Sequence, residues 1–327
     1  MLLLNNNFNT NAYFNLALEE YFLTKKKENF FILWQNSPAV IVGLHQNTNS
    51  EINSKFIEEN GIKVVRRMTG GGAVYHDLGN VNFTFIENYT SKTTDFEKYT
   101  AIIIDVLNKL GVEAKFSGRN DIVVDGRKIS GNSELILNER ILHHGTLLFN
   151  SNLEDVVNAL NVNSVKFIGK SVQSIRSRVA NISEYLAVQI GVSDFINKIF
   201  EEVKNIKFDD AEDYQISEHD LEQISLLAKE KYSTWEWNYG NSPIYNFEKK
   251  TKTIAGNIEI YMTVTSGIIK NIKIFGDFFS TGDIQEVEKL LVGIRHNMHD
   301  IKTVLSKIQI EKYFVNLKTE EFLACLI

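Results

Sequence analysis

Cysteine is almost absent from this chain: its 327 residues include one, Cys325. A single thiol excludes an internal disulfide and any structural zinc site built on cysteines. The thiol lies in the apolar run Phe322-Leu-Ala-Cys-Leu-Ile. We therefore expect a small packed hydrophobic side chain there, not a catalytic nucleophile.

Excess positive charge and long apolar runs are lacking as well. The formal net charge is −6, which argues against a nucleic-acid partner, because there is no basic surface to neutralise a phosphate backbone. Neither a secretory signal nor an apolar run of about 18 residues is present, so we expect a cytoplasmic protein without a membrane partner. A composition of 43% hydrophobic and 23% charged residues is ordinary for a globular protein with a substantial core.

Helical and strand patterns interleave along the first two-thirds of the chain. Helices are predicted over residues 11–27 (amphipathic), 94–111 (capping box at Thr94 and Glu97) and 217–231 (N-cap Ser217). Two strands joined by a turn are predicted over 30–35 and 39–43. Further strands are predicted over 62–66, 80–87, 112–116, 121–124, 127–131 and 141–149. Because no regular βαβ period appears, the pattern predicts an α+β fold with a mixed sheet flanked by helices.

The C-terminal part has a different character. Residues 257–265 alternate strictly between apolar and polar, Ser266-Gly267 turns the chain, and residues 268–275 return as a second strand. Helical patterns at 284–294 and 319–327 complete a small α/β unit. We place the boundary near Lys250, in the polar stretch 248–252, and predict a catalytic domain over 1–247 and an accessory domain over 253–327.

The most informative motif is Arg66-Arg-Met-Thr-Gly-Gly-Gly-Ala-Val-Tyr-His-Asp-Leu-Gly-Asn80. Three glycines without side chains let a ligand lie against backbone N–H groups, and two arginines supply planar forks suited to phosphate or carboxylate. Seven of the eight arginines lie between Arg66 and Arg178, although lysine outnumbers arginine 27 to 8. A glycine run alone is often only a flexible turn, and this one is neither a Walker A loop nor a dinucleotide fingerprint. Its context favours a pocket for a phosphorylated or adenylated ligand.

A second motif lies at residues 118–131. Asp125-Gly126 is a tight hairpin turn, which predicts that Asp121 and Lys128 lie close together across two paired strands. Most lysines in hairpins are simply exposed. Here the small neighbours Ser130 and Gly131 leave room for a ligand, and an ammonium can bridge a carbonyl oxygen and a phosphate. The two motifs together favour an enzyme that activates a carboxylate as an acyl-adenylate.

Two histidine motifs complete the set. His143 and His144 are adjacent on a predicted strand and point to opposite faces, so they are poor ligands for one metal. We expect one to face the pocket or a core hydrogen bond and the other to face outward. His76-Asp77 is interpreted as a structural pair that closes the glycine loop.

These motifs, in this order and spacing, resemble those of the lipoate–protein ligases. The resemblance includes Ser117-Gly-Arg-Asn-Asp121, Arg127-Lys-Ile-Ser-Gly131, His143-His-Gly-Thr-Leu-Leu148 and Ser174-Ile-Arg-Ser-Arg-Val179. It runs from about residue 11 to 243, and the C-terminal unit matches the accessory domain of two-domain members. The family implies a catalytic fold related to biotin ligases, ATP, Mg²⁺ and lipoate as co-substrates, and a lipoyl-AMP intermediate.

The resemblance also implies roles for individual residues. Lys128 corresponds to the catalytic lysine that touches the lipoyl carbonyl and the adenylate phosphate. Asn120 and Asp121 orient the acceptor lysine or bind the metal, and residues 170–179 form a loop that orders over the intermediate. The implied set of ligand-binding residues is Arg67, Thr69, Gly70, Gly71, Gly72, Ala73, Val74, Tyr75, His76, Asn80, Asn120, Asp121, Lys128, Gly131, His144 and Gly145.

The family further implies that the acceptors are lipoyl domains of 2-oxoacid dehydrogenase subunits or the glycine-cleavage H protein. We expect the protein to be a monomer. The main alternative is an octanoyltransferase of the same fold, which either needs a pocket cysteine or uses a lysine without ATP. A biotin ligase would carry a G-R-G-R-x-G loop, absent here. A catalytically silent protein that binds a lipoyl domain is the third alternative.

Overall fold

The structure is a computed structural model that describes residues 1–6, 8–91, 93–118, 120–160, 178–207, 211–242, 245–276, 278 and 282–327. The chain folds into two compact units. The first comprises Met1–Leu44 and Lys63–Thr234, and the second comprises His45–Ile62 and Trp235–Ile327. None of the helices in these described ranges is both long enough and apolar enough to span a membrane.

A mixed sheet forms the centre of the first unit. Its strands are β1 (Leu2–Asn6), β2 (Phe30–Trp34), β6 (Asn80–Asn88), β7 (Lys115–Ser117), β8 (Asp121–Val124), β9 (Arg127–Leu137), β10 (Arg140–Leu148) and β11 (Glu212–Asp213). The spatial order is β11-β1-β2-β6-β10-β9-β8-β7. Strand β1 pairs in parallel with β2 and β11, whereas the other pairs are antiparallel. This topology confirms the predicted α+β class with a mixed sheet.

A smaller sheet in the first unit carries the glycine motif. Strand β3 (Ala39–Val42) pairs in parallel with β4 (Lys63–Arg66) and antiparallel with β5 (Val74–His76). The predicted strands 30–35 and 39–43 therefore belong to different sheets, because the turn at Ser37 and Pro38 carries the chain from one to the other. The glycines lie in the loop between β4 and β5, and β5 was not predicted.

The helices of the first unit are α1 (Ala12–Lys25), α4 (Phe96–Lys109), α5 (Leu153–Ala159), α6 (Val192–Lys207) and α7 (Glu218–Leu227). Helix α1 is buried on all sides, including the polar Asn15 and Glu19, so the prediction of an amphipathic helix was wrong. It contacts the strands on one side and α7 with the π-helical turn Ala228–Tyr232 on the other. The N-cap of α4 is Asp95, one residue later than the predicted Thr94.

The second unit contains α2 (Thr48–Glu51), α3 (Ser54–Glu59), β12 (Tyr245–Thr253), β13 (Gly256–Thr265), β14 (Ile268–Gly276), α8 (Ile284–Leu291), α9 (Met298–Leu305) and α10 (Thr319–Leu326). The predicted β13–β14 hairpin is confirmed, with positive φ at Ser266 and Gly267. The polar stretch 248–252 lies inside β12, and Glu236–Gly240 is a π-helical turn. Cys325 is fully buried in this unit's core, as predicted.

Candidate functional site

The glycine loop between β4 and β5 has a backbone path that requires glycine. Gly71 has a φ of +94°, a conformation that other residues rarely adopt. Gly43, at the end of β3, packs against it: a Cβ there would collide with the carbonyl oxygen of Gly71. A Cβ at Gly70 or Gly72, in contrast, would meet nothing within 4 Å. The loop therefore presents bare backbone next to open space.

Arg67 braces this loop from inside. Its Nη2 donates to the carbonyl oxygens of Gly70 (2.6 Å) and Gly72 (2.9 Å), and its Nε donates to Thr69 Oγ1 (3.0 Å). Burial lowers the pKa of Arg67 to about 10, so the guanidinium stays charged at neutral pH. The loop is thus held around a fixed buried cation.

Arg66, Arg127 and Arg140 each have partners of their own. Arg66 is fully buried and donates to the carbonyl oxygens of Gly43 and Leu44, so it does not stand beside Arg67 at the cavity. Arg127 pairs with Glu184, and Arg140 donates to backbone carbonyls of the loop before β2. The sequence-based prediction that both arginines of the motif face the ligand was wrong for Arg66. Adjacent strand residues point to opposite sides, and the sequence does not show which side is the cavity.

Lys128 lies where the hairpin predicts. Asp125 and Gly126 adopt φ values of +49° and +75°, and Lys128 Nζ lies 2.7 Å from Asp121 Oδ1. Both side chains are about a third exposed. A Cβ on Gly131 would lie 2.8 Å from Lys128 Nζ, so the glycine leaves room for the ammonium group. The predicted proximity of Asp121 and Lys128 is confirmed.

The loop and the hairpin face one cavity of about 160 Å³, several times the roughly 30 Å³ of a water molecule. Many of the residues predicted to bind ligand line it, contributed by the glycine loop, β5, the β8–β9 hairpin and β10. They are Arg67, Gly71, Gly72, Ala73, Val74, His76, Asn120, Lys128, Gly131, His144 and Gly145. Two motifs distant in sequence therefore form one site.

The remaining members of the predicted set lie behind the wall or beside it: Thr69, Gly70, Tyr75, Asn80 and Asp121. Thr69 and Gly70 accept hydrogen bonds from Arg67, Asp121 pairs with Lys128, and Asn80 donates to Asn82 Oδ1 (2.9 Å). Tyr75 directs its hydroxyl to Asp155 (3.5 Å). The predicted closing loop, residues 170–179, lies outside the described residues except for Arg178 and Val179.

Several lining residues were missed by sequence reasoning: Leu16, Trp34, Ile41, Asn82, Asn132, Ser133 and Thr146. Asn132 and Ser133 directly follow the motif that ends at Gly131, so extending that motif would have found them. Thr146 lies inside the motif His143-His-Gly-Thr-Leu-Leu148 but was not assigned a role. The apolar residues gave no signal, because a leucine or tryptophan in a buried element resembles ordinary core.

A buried polar chain continues from Arg67 into the first unit. Thr69 Oγ1 lies 2.8 Å from His144 Nε2, and His144 Nδ1 lies 3.0 Å from Glu19 Oε1 on helix α1. Thr84 Oγ1 also donates to Glu19 Oε1 (2.6 Å). Hydrogen bonds therefore connect the glycine loop, through Arg67, Thr69 and His144, to Glu19 on helix α1.

His143 points to the opposite face from His144, as predicted, but it does not face outward. It is fully buried, with Nδ1 2.7 Å from Glu134 Oε1 and its ring 4.9 Å from that of Tyr99. Burial lowers its pKa, although Glu134 acts in the other direction. His143 thus belongs to the core between the sheet and α4.

His76 and Asp77 have separate partners. Asp77 accepts hydrogen bonds from the backbone N–H groups of Gly79 and Asn152 (both 2.8 Å), which fixes the turn after β5. His76 is buried, and its Nδ1 lies 3.0 Å from Asn36 Nδ2. Burial, followed by the charge of Arg67, lowers the pKa of His76 to about 3, so the ring is neutral.

Carboxylates for a metal are few near the cavity. In the part of the chain that the structure describes, no group of three His, Cys, Asp or Glu side chains could hold an ion. Mg²⁺ bound with a nucleotide needs only one or two carboxylates, because phosphates and water supply the other ligands. Among the predicted ligand-binding residues, Asp121 alone carries a carboxylate.

Two family models match this chain. The lipoyl protein ligase A/B catalytic domain matches residues 11–204, and the bacterial lipoate protein ligase C-terminus matches residues 242–326. A lipoate–protein ligase of Bacillus subtilis (strain 168) is 44% identical over 99% of both chains. Lipoate–protein ligase 1 of Staphylococcus aureus (strain Mu50 / ATCC 700699) is 42% identical, again over 99% of both.

Solved structures show the same relationship. A bipartite lipoate protein ligase of Thermoplasma acidophilum, described with its E2 lipoyl domain, has a TM-score of 0.65 at 28% identity, covering 74% of this chain and 97% of that chain. The P. falciparum protein LipL1 in complex with lipoate has a TM-score of 0.62 at 29% identity, covering 99% and 97%. A lipoate–protein ligase A bound with ATP has a TM-score of 0.63 at 27% identity, covering 73% and 98%. Since the similarity to ligases extends along the full length, this chain belongs to the lipoate–protein ligase family.

Proposed function

We propose that this protein activates lipoate with ATP to form lipoyl-AMP and transfers the lipoyl group to a lysine of an acceptor protein. One observation carries the proposal: the ammonium of Lys128 and the bare backbone of the glycine loop line the same cavity. An acyl-adenylate joins an acyl carbonyl to a phosphate, and these are the groups that a lysine and exposed backbone N–H groups stabilise. The relatives solved with lipoate or with ATP support both ligands.

In the first step, a lipoate carboxylate oxygen attacks the α-phosphorus of ATP. The new oxygen–phosphorus bond forms as the bond to the bridging oxygen of pyrophosphate breaks, and pyrophosphate leaves. Lys128 and the fixed charge of Arg67 offset the negative charge in this transition state. Mg²⁺, arriving with ATP, would neutralise phosphate charge, with Asp121 as the proposed protein ligand.

In the second step, the uncharged amine of the acceptor lysine attacks the acyl carbonyl. Lys128 stabilises the developing oxyanion, AMP departs with the bonding electrons of the anhydride, and the amine loses a proton. Asp121, which pairs with Lys128, and Asn120, which lines the same cavity, are the proposed residues that orient the incoming amine. Lys128 acts here as an electrostatic stabiliser and forms no covalent intermediate.

The proposed acceptors are lipoyl domains of 2-oxoacid dehydrogenase subunits or the glycine-cleavage H protein, which present a lysine on a folded domain. The archaeal relative described with an E2 lipoyl domain supports this class of partner. Division into a catalytic domain over 1–247 and an accessory domain over 253–327, a cytoplasmic location and a monomeric state stay predictions.

An octanoyltransferase that works through a thioester is not favoured, because the chain's single cysteine is buried in the core of the second unit. The lysine-dependent alternative uses no ATP. Pyrophosphate release separates these activities, and mass spectrometry of the acceptor shows transfer.

The test incubates the purified protein with lipoate, MgATP and a lipoyl domain. We expect stoichiometric pyrophosphate release and a mass gain of one lipoyl group on the acceptor, both absent when ATP is omitted. Acylation of the domain without ATP, or no acylation at all, would contradict the proposal.

A further inference from the structure

We propose that His76 recognises the distal end of the acyl chain, where its Nε2–H group donates a hydrogen bond to a sulfur of the dithiolane ring. This contact would favour lipoate over an unsubstituted eight-carbon chain. The inference rests on the proposed function and adds a specificity-determining residue to it.

The argument begins at Asn15 on helix α1, whose amide orientation is fixed by its neighbours. Asn15 Nδ2 lies 2.8 Å from the carbonyl oxygen of Gln35 and 3.1 Å from that of Asn9. Backbone carbonyls only accept hydrogen bonds, so the atom facing them is the amide nitrogen. The Asn36 amide atom that lies 2.9 Å from this nitrogen must accept a hydrogen bond as well. It is therefore the oxygen Oδ1, which fixes the orientation of the Asn36 amide.

The orientation of Asn36 determines the tautomer of His76. With its oxygen facing Asn15, Asn36 directs its Nδ2 group to His76 Nδ1, 3.0 Å away. An amide NH₂ only donates, so Nδ1 must accept. The ring is neutral, and its single proton is therefore on Nε2.

This Nε2–H group is prepared for a ligand. His76 is 3% exposed and lines the cavity, and its Nε2 has no hydrogen-bond partner among the residues described. A buried donor without a partner is costly, and native structures rarely leave one without a reason. A bound acceptor atom in the cavity would supply the missing partner.

The position of His76 indicates which part of the substrate it meets. Its ring packs edge-on against Trp34, with centroids 6.1 Å apart, and Ile41 lines the cavity from β3, the strand that pairs with His76's strand β5. Lys128 lines the cavity from a different element, the β8–β9 hairpin. With the carboxylate at Lys128, the apolar chain lies against Trp34, and its far end meets His76.

The chemistry of that end distinguishes the two substrates. A dithiolane sulfur is a weak acceptor that can pair with an N–H group, whereas an octanoyl chain offers only C–H groups and leaves the donor unpaired. A site built to pair a substrate atom disfavours the analogue that lacks it. Because sulfur accepts weakly, we expect a contribution of about tenfold, far below the discrimination of a site that pairs a strong acceptor.

The kinetic test measures kcat/KM for lipoate and octanoate in wild type, His76→Leu and His76→Gln. Leucine removes the donor, whereas the glutamine amide keeps an N–H group near the same position. We expect the lipoate-to-octanoate ratio to fall about tenfold in His76→Leu and to stay near the wild-type value in His76→Gln. An unchanged ratio in His76→Leu would overturn the inference.

A spectroscopic test needs no substitution. Long-range ¹H–¹⁵N spectra of the wild-type histidine rings should show the Nε2–H tautomer for His76, with its Nε2 resonance shifted by lipoate and not by octanoate. An Nδ1–H tautomer would overturn the inference. If wild type releases no pyrophosphate with lipoate and ATP, the proposed function fails instead, so the two failures are distinguishable.

Discussion

At the scale of single residues, Lys128 is the proposed stabiliser of the transition state. Its ammonium pairs with Asp121 and remains partly exposed to the cavity, so it can be replaced without disturbing the core. We expect Lys128→Met to slow formation of lipoyl-AMP at least about 100-fold, the effect of removing one electrostatic stabiliser of a transition state. Single-turnover pyrophosphate release measures it.

Lys204→Met is the matched control, because Lys204 also pairs with an aspartate, Asp213, and is also partly exposed. It should form lipoyl-AMP at the wild-type rate, and both variants should keep the wild-type melting temperature. Normal single-turnover adenylation by Lys128→Met would remove Lys128 from the mechanism.

How far the sequence could identify site residues depended on how local their contacts are. The Asp121–Lys128 pair was predictable because a two-residue turn fixes the register of its strands. The sequence could not show which of Arg66 and Arg67 lines the cavity, because that depends on which side of the chain at the end of β4 faces the cavity. Trp34 was unpredictable, because its place in the wall depends on the packing of two sheets.

At the scale of elements, the glycine loop makes a prediction in two parts. In Gly43→Ala the new methyl group collides with Gly71, so we expect a loss of about 1–3 kcal/mol of stability from overpacking. In Gly72→Ala the methyl group enters open space at the cavity. The fold should then keep its stability while KM for ATP rises about tenfold or more.

Melting temperatures and KM values for both variants provide the test. A destabilised Gly72→Ala, or a Gly72→Ala variant with unchanged KM for ATP and for lipoate, would contradict a ligand-binding role for the bare loop.

Asp220 connects two helices of the first unit. It accepts hydrogen bonds from Tyr21 and Lys26 at the end of α1 and from Tyr214 (2.7, 2.8 and 2.9 Å). Burial alone would raise its pKa, but the hydrogen bonds outweigh burial and lower it. Removing one partner of a buried pair leaves the other charge uncompensated, so we expect Asp220→Ala to cost about 3 kcal/mol.

The free energy of unfolding in urea measures this cost. The control is Asp213→Ala, which breaks an exposed pair with Lys204 and should cost less than about 0.5 kcal/mol. Equal costs for the two substitutions would contradict the role of Asp220.

The elements that the sequence predicted well have strong local signals. The β13–β14 hairpin combines strict alternation with a Ser-Gly turn, and helix α4 combines a cap with an apolar stripe. Strand β12 was missed because its central residues are polar, and β5 because it is short. The surroundings of α1 could not be predicted, since a helix covered on all sides depends on elements far away in sequence.

At the scale of the whole molecule, buried neutral histidines make stability depend on pH. Burial lowers the pKa of His76 to about 3, against 6.5 for an exposed ring, and also lowers that of His296. Above pH 6.5 both folded and unfolded states are neutral at His76. As pH falls below 6.5, only the unfolded state gains the proton, so stability decreases down to about pH 3.

From these values we expect His76 to account for a loss of about 2 kcal/mol between pH 7 and pH 5. His76→Gln, which cannot titrate, should show a correspondingly smaller decrease. Urea titrations at pH 7 and pH 5 measure the free energy of unfolding of both proteins. Both carry Trp235→Phe and Trp237→Phe, so that Trp34 is the only fluorescent tryptophan and reports on the first unit. If the free energy of unfolding decreased equally in both proteins between pH 7 and pH 5, His76 would not stay neutral in the folded state.

The grouping of residues into units was beyond the sequence. Residues 45–62 belong to the second unit through contacts such as Thr48 Oγ1 to the carbonyl oxygen of Asn238 (2.6 Å), almost two hundred residues away. No local pattern encodes such a contact. The α+β class and the motif order were predictable, because they depend on periodicity and on short spacings.

The most direct test of the central claim is a crystal structure of this ligase with lipoyl-AMP. The account predicts the acyl carbonyl and the phosphate within hydrogen-bond distance of Lys128 Nζ, the nucleotide against Gly71 and Gly72, and the acyl chain beside Trp34. Lipoyl-AMP bound away from the glycine loop, or with Lys128 turned away from it, would contradict the account.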